Sequence, residues 1–183
     1  MSSKYKIYNG QRPYFITFAT VQWIDVFTRH IYKEIIVENL VYCINNKGLI
    51  LHAFVIMSNH IHIIASAIKG YSLSDILRDF KKYTSKKIVN EIQDNVQESR
   101  KSWMNWIFAS AGKNNTNNKD FQFWQQDNHP IELLTNEMMD QKIEYIHLNP
   151  VQQGIVREAS HYIYSSASNY ETGKGIIDIM RID

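Results

Sequence analysis

Two short strand-like segments, separated by only two residues, constrain the fold of this chain more than any other feature. They are Leu49–Met57 and His60–Ala67, and apolar and β-branched residues dominate both. The intervening pair, Ser58 and Asn59, has the composition of a tight turn. We therefore expect the two segments to pair as an antiparallel β-hairpin.

The hairpin is flanked by segments with a periodicity of their own. Residues 13–21 are rich in aromatic and β-branched side chains and predict a strand, whereas 29–45 and 72–93 carry apolar residues at helical spacing. The order strand, helix, strand, strand, helix predicts an α+β fold, with a ferredoxin-like (RRM-like) antiparallel sheet and helices packed on one face. The other face would be open for a site. A fourth strand is expected at 121–126.

The rest of the chain predicts a C-terminal helical extension of the same domain. We place the catalytic core at about residues 10–97 and the extension at about 98–183, so that 1–183 form one domain. Within the extension, 112–120 is polar and predicts a loop. A helix from about 135 to 148 should stop before Pro150.

Composition indicates a cytoplasmic protein without a membrane segment. The single cysteine, Cys43, excludes an internal disulfide and a cysteine zinc cluster, as expected for a reducing compartment. No apolar run approaches the ~20 residues that span a bilayer, and the first residues lack the apolar core of a secretory signal. The net charge of +2 permits nucleic-acid binding but does not require it.

His60 and His62 are the most chemically informative residues of the hairpin. Because side chains alternate along a strand, both imidazoles should project from the face opposite Ile61 and Ile63, with their Cα atoms ~6.5 Å apart. Two imidazoles at that spacing can bind one cation and leave room for a third ligand, water and a phosphate oxygen. Spacing alone also allows the ordinary alternative, in which both histidines are polar side chains with structural partners.

Tyr83 lies at the edge of the apolar stripe of the helix predicted over 72–93. It is surrounded by the densest group of basic residues in the chain: Arg78, Lys81, Lys82, Lys86 and Lys87. A phenol is a weak nucleophile at neutral pH, but neighbouring ammonium groups favour the phenolate form and attract a phosphodiester. By spacing alone, a solvated helix face explains the same residues.

Four segments together resemble the single-tyrosine HUH transposases, in particular the REP-associated tyrosine transposases and their insertion-sequence relatives. The first, MSNHIHII at 57–64, is similar to the His-hydrophobe-His motif of that family. The others, at 123–133, 145–156 and 164–170, are FWQQDNHPIEL, YIHLNPVQQGIV and YSSASNY, which resemble the C-terminal part of these proteins. The resemblance extends over about residues 10–170.

The resemblance implies a metal-dependent enzyme that cleaves and rejoins single-stranded or hairpin-flanked DNA through a covalent phosphotyrosine. It implies that His60 and His62 bind Mg²⁺ or Mn²⁺ and that Tyr83 is the nucleophile. Some members are homodimers that exchange the tyrosine helix, so a homodimer is a further expectation. Some relatives carry an amide ligand one turn after the tyrosine, but Lys87 stands there and cannot ligate while protonated. Asp79 or water is then the expected third ligand.

Candidate DNA contacts are the basic residues of the predicted helix and an amide-rich segment farther on: Arg78, Lys82, Lys86, Lys87, Trp124, Gln125 and Gln126. Tyr145 and His147 are open between contact with DNA and the packing of a helix. Two other functions are consistent with the sequence. One is a domesticated, non-catalytic module that binds single-stranded DNA or RNA, and the other is a metal phosphodiesterase that uses water.

Overall fold

The computed structural model describes residues 6–113, 120–126 and 128–182, and this part of the chain contains one four-stranded antiparallel sheet. Its strands are β1 (Tyr14–Ala19), β2 (Leu49–Ile56), β3 (His60–Ala67) and β4 (Ile131–Glu132), in the order β2-β3-β1-β4. The predicted hairpin is present, because β2 and β3 pair antiparallel across the Ser58–Asn59 connection. The predicted α+β, ferredoxin-like fold is confirmed.

Five α-helices accompany the sheet in the described residues: α1 (His30–Lys47), α2 (Leu73–Asp94), α3 (Lys101–Lys113), α4 (Asn136–Gln152) and α5 (Ala167–Thr172). Hydroxyl side chains fix the start of two of them. Ser72 accepts a hydrogen bond from the amide of Asp75 at 3.3 Å, which begins α2. Thr135 accepts one from the amide of Met138 at 3.2 Å, which begins α4.

The two faces of the sheet are covered differently. On one, which we call the helix face, Phe18 of β1 lies beneath α2, with its ring 5.3 Å from that of Phe80. Helix α1 packs against α2 in the same layer. Because side chains alternate, Phe15 and Thr17 of β1 project from the opposite face, together with the side chains of His60 and His62. We call this the histidine face, and α4 crosses it in contact with β2 and β3.

The segment 121–126, expected as the fourth strand, is not a strand, and it forms a single isolated bridge at Trp124. Phe123 and Trp124 are consecutive, yet both rings pack against Phe27, at 6.2 and 5.8 Å between centroids. Consecutive side chains of a regular strand point to opposite faces and do not normally share one neighbour. The fourth strand is instead β4, which pairs with the first two residues of β1.

Helix α4 continues two residues past Pro150, so the predicted stop before that proline is wrong. A proline removes its own amide donor, and near the end of a helix few other bonds are disturbed. The last turn is closed by the amide of Gln153, which bonds to the Asn149 carbonyl at 3.1 Å, and by that of Ile155, which bonds to the Pro150 carbonyl at 2.9 Å. Asn149 is consequently a helical residue rather than part of a loop.

The loop predicted at 112–120 lies mainly outside the described residues, since 114–119 are not among them. Immediately before it, α3 packs against α2 on the helix face side of the molecule. None of the described helices combines the length and the apolarity needed to cross a bilayer.

Candidate active site on the histidine face

The two histidines of β3 lie side by side, as their alternation in the sequence indicates. Their ring centroids are 4.7 Å apart, and the residues are only 7% (His60) and 5% (His62) exposed. Both rings therefore sit beneath the protein surface rather than in bulk solvent. This is the spacing at which two imidazoles can approach a common ligand.

His62 is held by its neighbour across the sheet. Thr17 is its direct partner in the β1–β3 register, and the Thr17 Oγ1 lies 2.8 Å from the His62 Nδ1. The ring of Phe15 stacks on the imidazole at 5.2 Å between centroids. The other ring nitrogen, Nε2, is buried and has no hydrogen-bond partner among the described residues. A buried polar atom without a partner is costly, so its persistence points to a ligand that the protein itself does not supply.

His60 is held by the residue before it. Its Nδ1 lies 2.6 Å from the side-chain oxygen of Asn59. An amide oxygen only accepts hydrogen bonds, so the Nδ1 carries the proton and donates, which leaves the lone pair on Nε2. This arrangement, with one ring nitrogen anchored and the other available, is the usual one for a metal-binding histidine.

The surroundings keep both imidazoles neutral. Burial lowers the pKa of His60 to about 4. Burial also lowers the pKa of His62 to about 3, and the nearby charges of His60 and Lys142 act in the same direction. A neutral imidazole has the free lone pair that metal binding requires. The pair is therefore in the ligating form throughout the physiological pH range.

The donor set fits a divalent cation bound by two imidazoles and one further ligand. His60 presents a lone pair on Nε2, and the Nε2 of His62 is buried without a hydrogen-bond partner among the described residues. No group of three or more His, Cys, Asp or Glu side chains is placed to hold a metal among the residues that the structure describes. Two imidazoles leave positions on such a cation for a further protein ligand and for water.

Tyr145 of α4 is the tyrosine that lies beside the histidine pair. Its ring centroid is 5.2 Å from that of His62 and 5.9 Å from that of Phe15. The side chain stays accessible, since the residue is 41% exposed. One turn earlier, the Lys142 ammonium lies 4.9 Å from the Phe15 ring. A phenol and an ammonium group therefore flank the same edge of the site.

Asn149 follows Tyr145 by one helical turn and so lies on the same side of α4. Asn149 is 6% exposed, and its side-chain oxygen accepts a hydrogen bond from the side-chain amide of Gln153 at 3.5 Å. Helix α4 therefore carries a buried amide one turn after Tyr145.

Tyr83 and Asp79 lie on the other side of the sheet. Both line a groove between α1 and α2. On the same helix, Phe80 packs against Phe18, so the sheet separates α2 from the histidine pair. Asp79 is ion-paired with Arg78 at 3.2 Å. Within one chain, the structure does not bring either residue to the histidines.

The basic residues predicted to contact DNA lie on α2, on the helix face. Lys82, Lys86 and Lys87 are exposed on α2. Arg78, on the same helix, is ion-paired with Asp75 as well as with Asp79. The basic residues therefore form a solvated surface of the helix face.

The amide-rich segment contributes mainly to the interior. Trp124 is buried, and its indole N–H donates to the Thr84 hydroxyl at 3.1 Å, which corrects the expectation that it offers a surface for base stacking. The Gln125 side chain donates to the Thr20 carbonyl at 3.0 Å. Gln126 is exposed at the rim of a groove on the helix face.

The sequence contains a signal for Tyr145 and Asn149 that the prediction centred on Tyr83 does not use. An amide one turn after the tyrosine is what some relatives carry, and Tyr145 and Asn149 have that spacing, whereas Tyr83 is followed by Lys87. The prediction that α4 ends before Pro150 left this pair unused. The density of lysines around Tyr83 favoured a tyrosine on the helix face, which the structure separates from the histidine pair within one chain.

A solved structure shares this fold, and a family model matches the chain. A solved structure of a REP-associated tyrosine transposase bound to a REP hairpin superposes with a TM-score of 0.67 at 16% identity, covering 100% of this chain and 93% of that one. A Deinococcus radiodurans protein of known crystal structure gives a TM-score of 0.46 at 14% identity, covering 80% of this chain and 95% of that one. No curated protein sequence matches. The family model "Transposase IS200 like" matches residues 11–127, which is more than half of the chain. The chain therefore belongs to the IS200-like transposase family.

Proposed function

We propose that the protein is a DNA strand transferase that cleaves and rejoins single-stranded or hairpin-flanked DNA, with Tyr145 as the nucleophile. The observation that carries the proposal is the position of the Tyr145 ring, 5.2 Å from a histidine whose Nε2 is buried without a partner. A transposase family acts on DNA, and its chemistry requires a nucleophile beside the group that binds the scissile phosphate.

The proposed reaction begins with attack by Tyr145 and is reversible. The Tyr145 oxygen attacks the phosphorus of the scissile phosphodiester, and the bond from phosphorus to the 3′ oxygen breaks. The phenolic proton passes to solvent, and the departing 3′ oxygen takes one from solvent. The product is a 5′ phosphotyrosine and a free 3′ hydroxyl. Attack by a 3′ hydroxyl on the phosphotyrosine reverses these steps and rejoins the strand without ATP.

A cation would be held by His60 and His62, and we propose Asn149, one helical turn after Tyr145, as a third ligand. Mg²⁺ or Mn²⁺ bound there would withdraw electron density from the phosphate. Thr17 and Asn59 orient the two imidazoles through their Nδ1 atoms. The stacked ring of Phe15 excludes water from one side of His62.

A hairpin is the substrate best supported by the comparisons, because the similar transposase of known structure is bound to a REP hairpin. Lys142, whose ammonium lies 5.6 Å from the Tyr145 ring, would attract the phosphate backbone to the nucleophile. Tyr145 and His62 belong to the same chain, so this site needs no partner subunit. A homodimer remains an expectation of the resemblance, not a requirement of the proposed chemistry.

Covalent capture tests the proposal. The protein is incubated with Mn²⁺ and a hairpin whose single-stranded flank carries a nick, so that cleavage releases a short fragment and traps the adduct. We expect a stable protein–DNA adduct, and peptide mass spectrometry should place the nucleotide on Tyr145. The matched control is Tyr83→Phe, a tyrosine on the opposite face, which should form adduct at the wild-type rate.

The other functions give different outcomes in the same experiment. A binding module would retain hairpin affinity and form neither adduct nor product with any cation. A phosphodiesterase that uses water would cut the strand in Tyr145→Phe but fail to do so in His62→Ala. An adduct that maps to Tyr83 would contradict the assignment of Tyr145 and would require a neighbouring chain to supply the tyrosine.

A further inference from the structure

The loop that leaves β1 has an unusual backbone beside the histidine pair. Gln22 and Trp23 are consecutive and both have positive φ, at 53° and 56°. Neither is a glycine, and L side chains rarely adopt this left-handed conformation because Cβ crowds the following carbonyl. Two such residues in succession cost free energy, and outliers of this kind cluster at binding and catalytic sites.

Hydrogen bonds hold the loop in this shape. The Trp23 amide bonds to the Thr20 carbonyl at 3.0 Å, and the Gln125 side chain bonds to the same carbonyl at 3.0 Å. The side-chain amide of Asn59 donates to the Trp23 carbonyl at 3.2 Å. A bond within the loop and bonds from two other parts of the chain, Asn59 and Gln125, therefore hold the strained conformation.

The strain does not serve to bury the tryptophan. Trp23 is 53% exposed, whereas Trp124, which is part of the core, is 4% exposed. The indole contacts His60 edge to face, with ring centroids 5.7 Å apart. A large aromatic side chain is thus held half in solvent, in a strained backbone, against one of the two candidate metal ligands.

We propose that Trp23 is a stacking platform for an unpaired base that adjoins the scissile phosphate. The inference rests on the proposed function, because it takes the histidine pair as the place where that phosphate binds. A base joined to a phosphate beside His60 must lie within one nucleotide of it, and the exposed indole is the aromatic surface in contact with His60. Stacking on an aromatic ring is a usual way to hold an unpaired base, and it tolerates any sequence.

Asn59 links the platform to the metal-binding pair. Its nitrogen donates to the Trp23 carbonyl, and its oxygen accepts from the His60 Nδ1. One amide group therefore sets the position of the stacking ring and the orientation of the imidazole together. Asn59 is in this sense a positioning residue, and it couples where the base lies to where the phosphate is held.

Binding is measured in a Tyr145→Phe background, so that the result does not depend on cleavage. The probe is a labelled hairpin with a single-stranded flank, and its affinity is followed by fluorescence anisotropy. Abasic sites are placed at each flank position in turn. The variants are Trp23→Ala and Trp23→Phe, and Tyr42→Ala on α1 is the control, since Tyr42 is 50% exposed but lies on the other side of the sheet.

We expect Trp23→Ala to weaken binding about tenfold, or about 1.4 kcal/mol, with Trp23→Phe much less affected and Tyr42→Ala unchanged. One abasic position should cause a similar loss in the Trp23 protein and no further loss in Trp23→Ala. That non-additivity is the signature of one base on one ring. Equal affinities for Trp23 and Trp23→Ala proteins, or fully additive losses at every position, would overturn the proposal.

A second measurement does not depend on the folding of any variant. The hairpin carries 5-bromouracil at the position identified by the abasic scan, and irradiation should crosslink it to the peptide that contains Trp23. Crosslinking to another peptide alone would contradict the platform. If adduct formation by Tyr145 fails while the crosslink and the abasic effect persist, the proposed cleavage is refuted and the stacking site stands.

Discussion

The two faces of the sheet each present a tyrosine near lysines, and they differ in what lies beside that tyrosine. On the helix face, Tyr83 lies among exposed lysines above an apolar layer, in a groove closed by α1. On the histidine face, Tyr145 lies above two neutral imidazoles, one of which has an unsatisfied nitrogen. The difference favours Tyr145 in the proposed reaction, because basic surroundings alone do not bring a tyrosine to groups that could hold a phosphate.

The faces also differ in how burial is used. The helix face is lined by side chains such as Phe18, Ile61 and Ile63, whose burial stabilises the fold without further requirements. The histidine face buries two imidazoles, which is unfavourable unless their polar atoms find partners. Because this burial is unfavourable by itself, it supports a ligand-binding role for the two imidazoles beside the accessible Tyr145.

Removing the phenolic oxygen of one tyrosine on each face should give the largest difference in adduct formation. Tyr145→Phe should reduce covalent adduct at least about 10³-fold, because the attacking atom is absent, whereas Tyr83→Phe should remain within about twofold of wild type. Adduct is quantified by gel shift of the denatured protein with labelled hairpin. Equal losses in the two variants would remove the distinction between the faces.

Removing an imidazole should weaken the histidine face as a cation site. His62→Ala is expected to lower Mn²⁺-dependent cleavage by at least about 100-fold, since one of the two imidazole ligands is lost. The rise in melting temperature that Mn²⁺ gives to wild type should also be lost. His161→Ala, which removes an exposed histidine, is the control. An unchanged response to Mn²⁺ in His62→Ala would argue against a metal at this face.

Removing the hydrogen bond that orients the His62 ring should reduce cleavage less than removing the ring itself. Thr17→Val keeps the shape of the side chain but removes the partner of the His62 Nδ1. We expect the Mn²⁺ concentration for half-maximal cleavage to rise about 10–100-fold. Thr17→Ser should restore it, because the hydroxyl returns. A Val variant with wild-type metal dependence would show that the Thr17 bond does not orient the ring.

A change of pH should have the smallest effect, and it distinguishes a histidine on the histidine face from a carboxylate beside α1. Burial lowers the pKa of His52, although its bond to the Met180 carbonyl acts the other way, and its ring also bonds Ser66 of β3. Glu98 is buried beside α1, which acts to raise its pKa. The bonds it accepts from Arg100 and Tyr32 outweigh that effect and hold the pKa below its usual value.

His52 and Glu98 affect the free energy of unfolding in different pH ranges. Because the pKa of folded His52 is lowered, the unfolded state binds its proton more readily, and the free energy of unfolding falls as pH drops through about 6.5, by at most about 1.4 kcal/mol per pH unit. The contribution of Glu98 is complete above its unfolded pKa of 4.5 and is lost only as pH falls below it. Urea unfolding at several pH values should show a shallower slope between pH 6.5 and 5 in His52→Gln. A slope equal to that of wild type would contradict this account.

The parts of this molecule that follow local rules were predictable from the sequence. The β2–β3 hairpin follows from two apolar runs around Ser58–Asn59, and the shared face of His60 and His62 follows from strand alternation. Helix α2 begins where Ser72 can cap it. Each of these depends on neighbours within a few residues.

The parts that depend on distant contacts were not predictable in the same way. Strand β4 has two residues, which is too short for a periodic signal. The position of Tyr145 beside His62 depends on how α4 crosses the sheet, and no local pattern specifies that crossing. Pro150 also gave a misleading stop signal one residue after Asn149. The spacing of Tyr145 and Asn149 is visible in the sequence, but the proximity of Tyr145 to His62 is visible only in the structure.

The course of α4 across the histidine face means that the candidate site is completed late in the chain. His62 and Tyr145 are 83 positions apart, so their rings can meet only after α4 has been synthesised and has docked on the sheet. On the proposed function, the residues before α4 include both imidazoles and Trp23, and the attacking oxygen joins them only when that docking takes place.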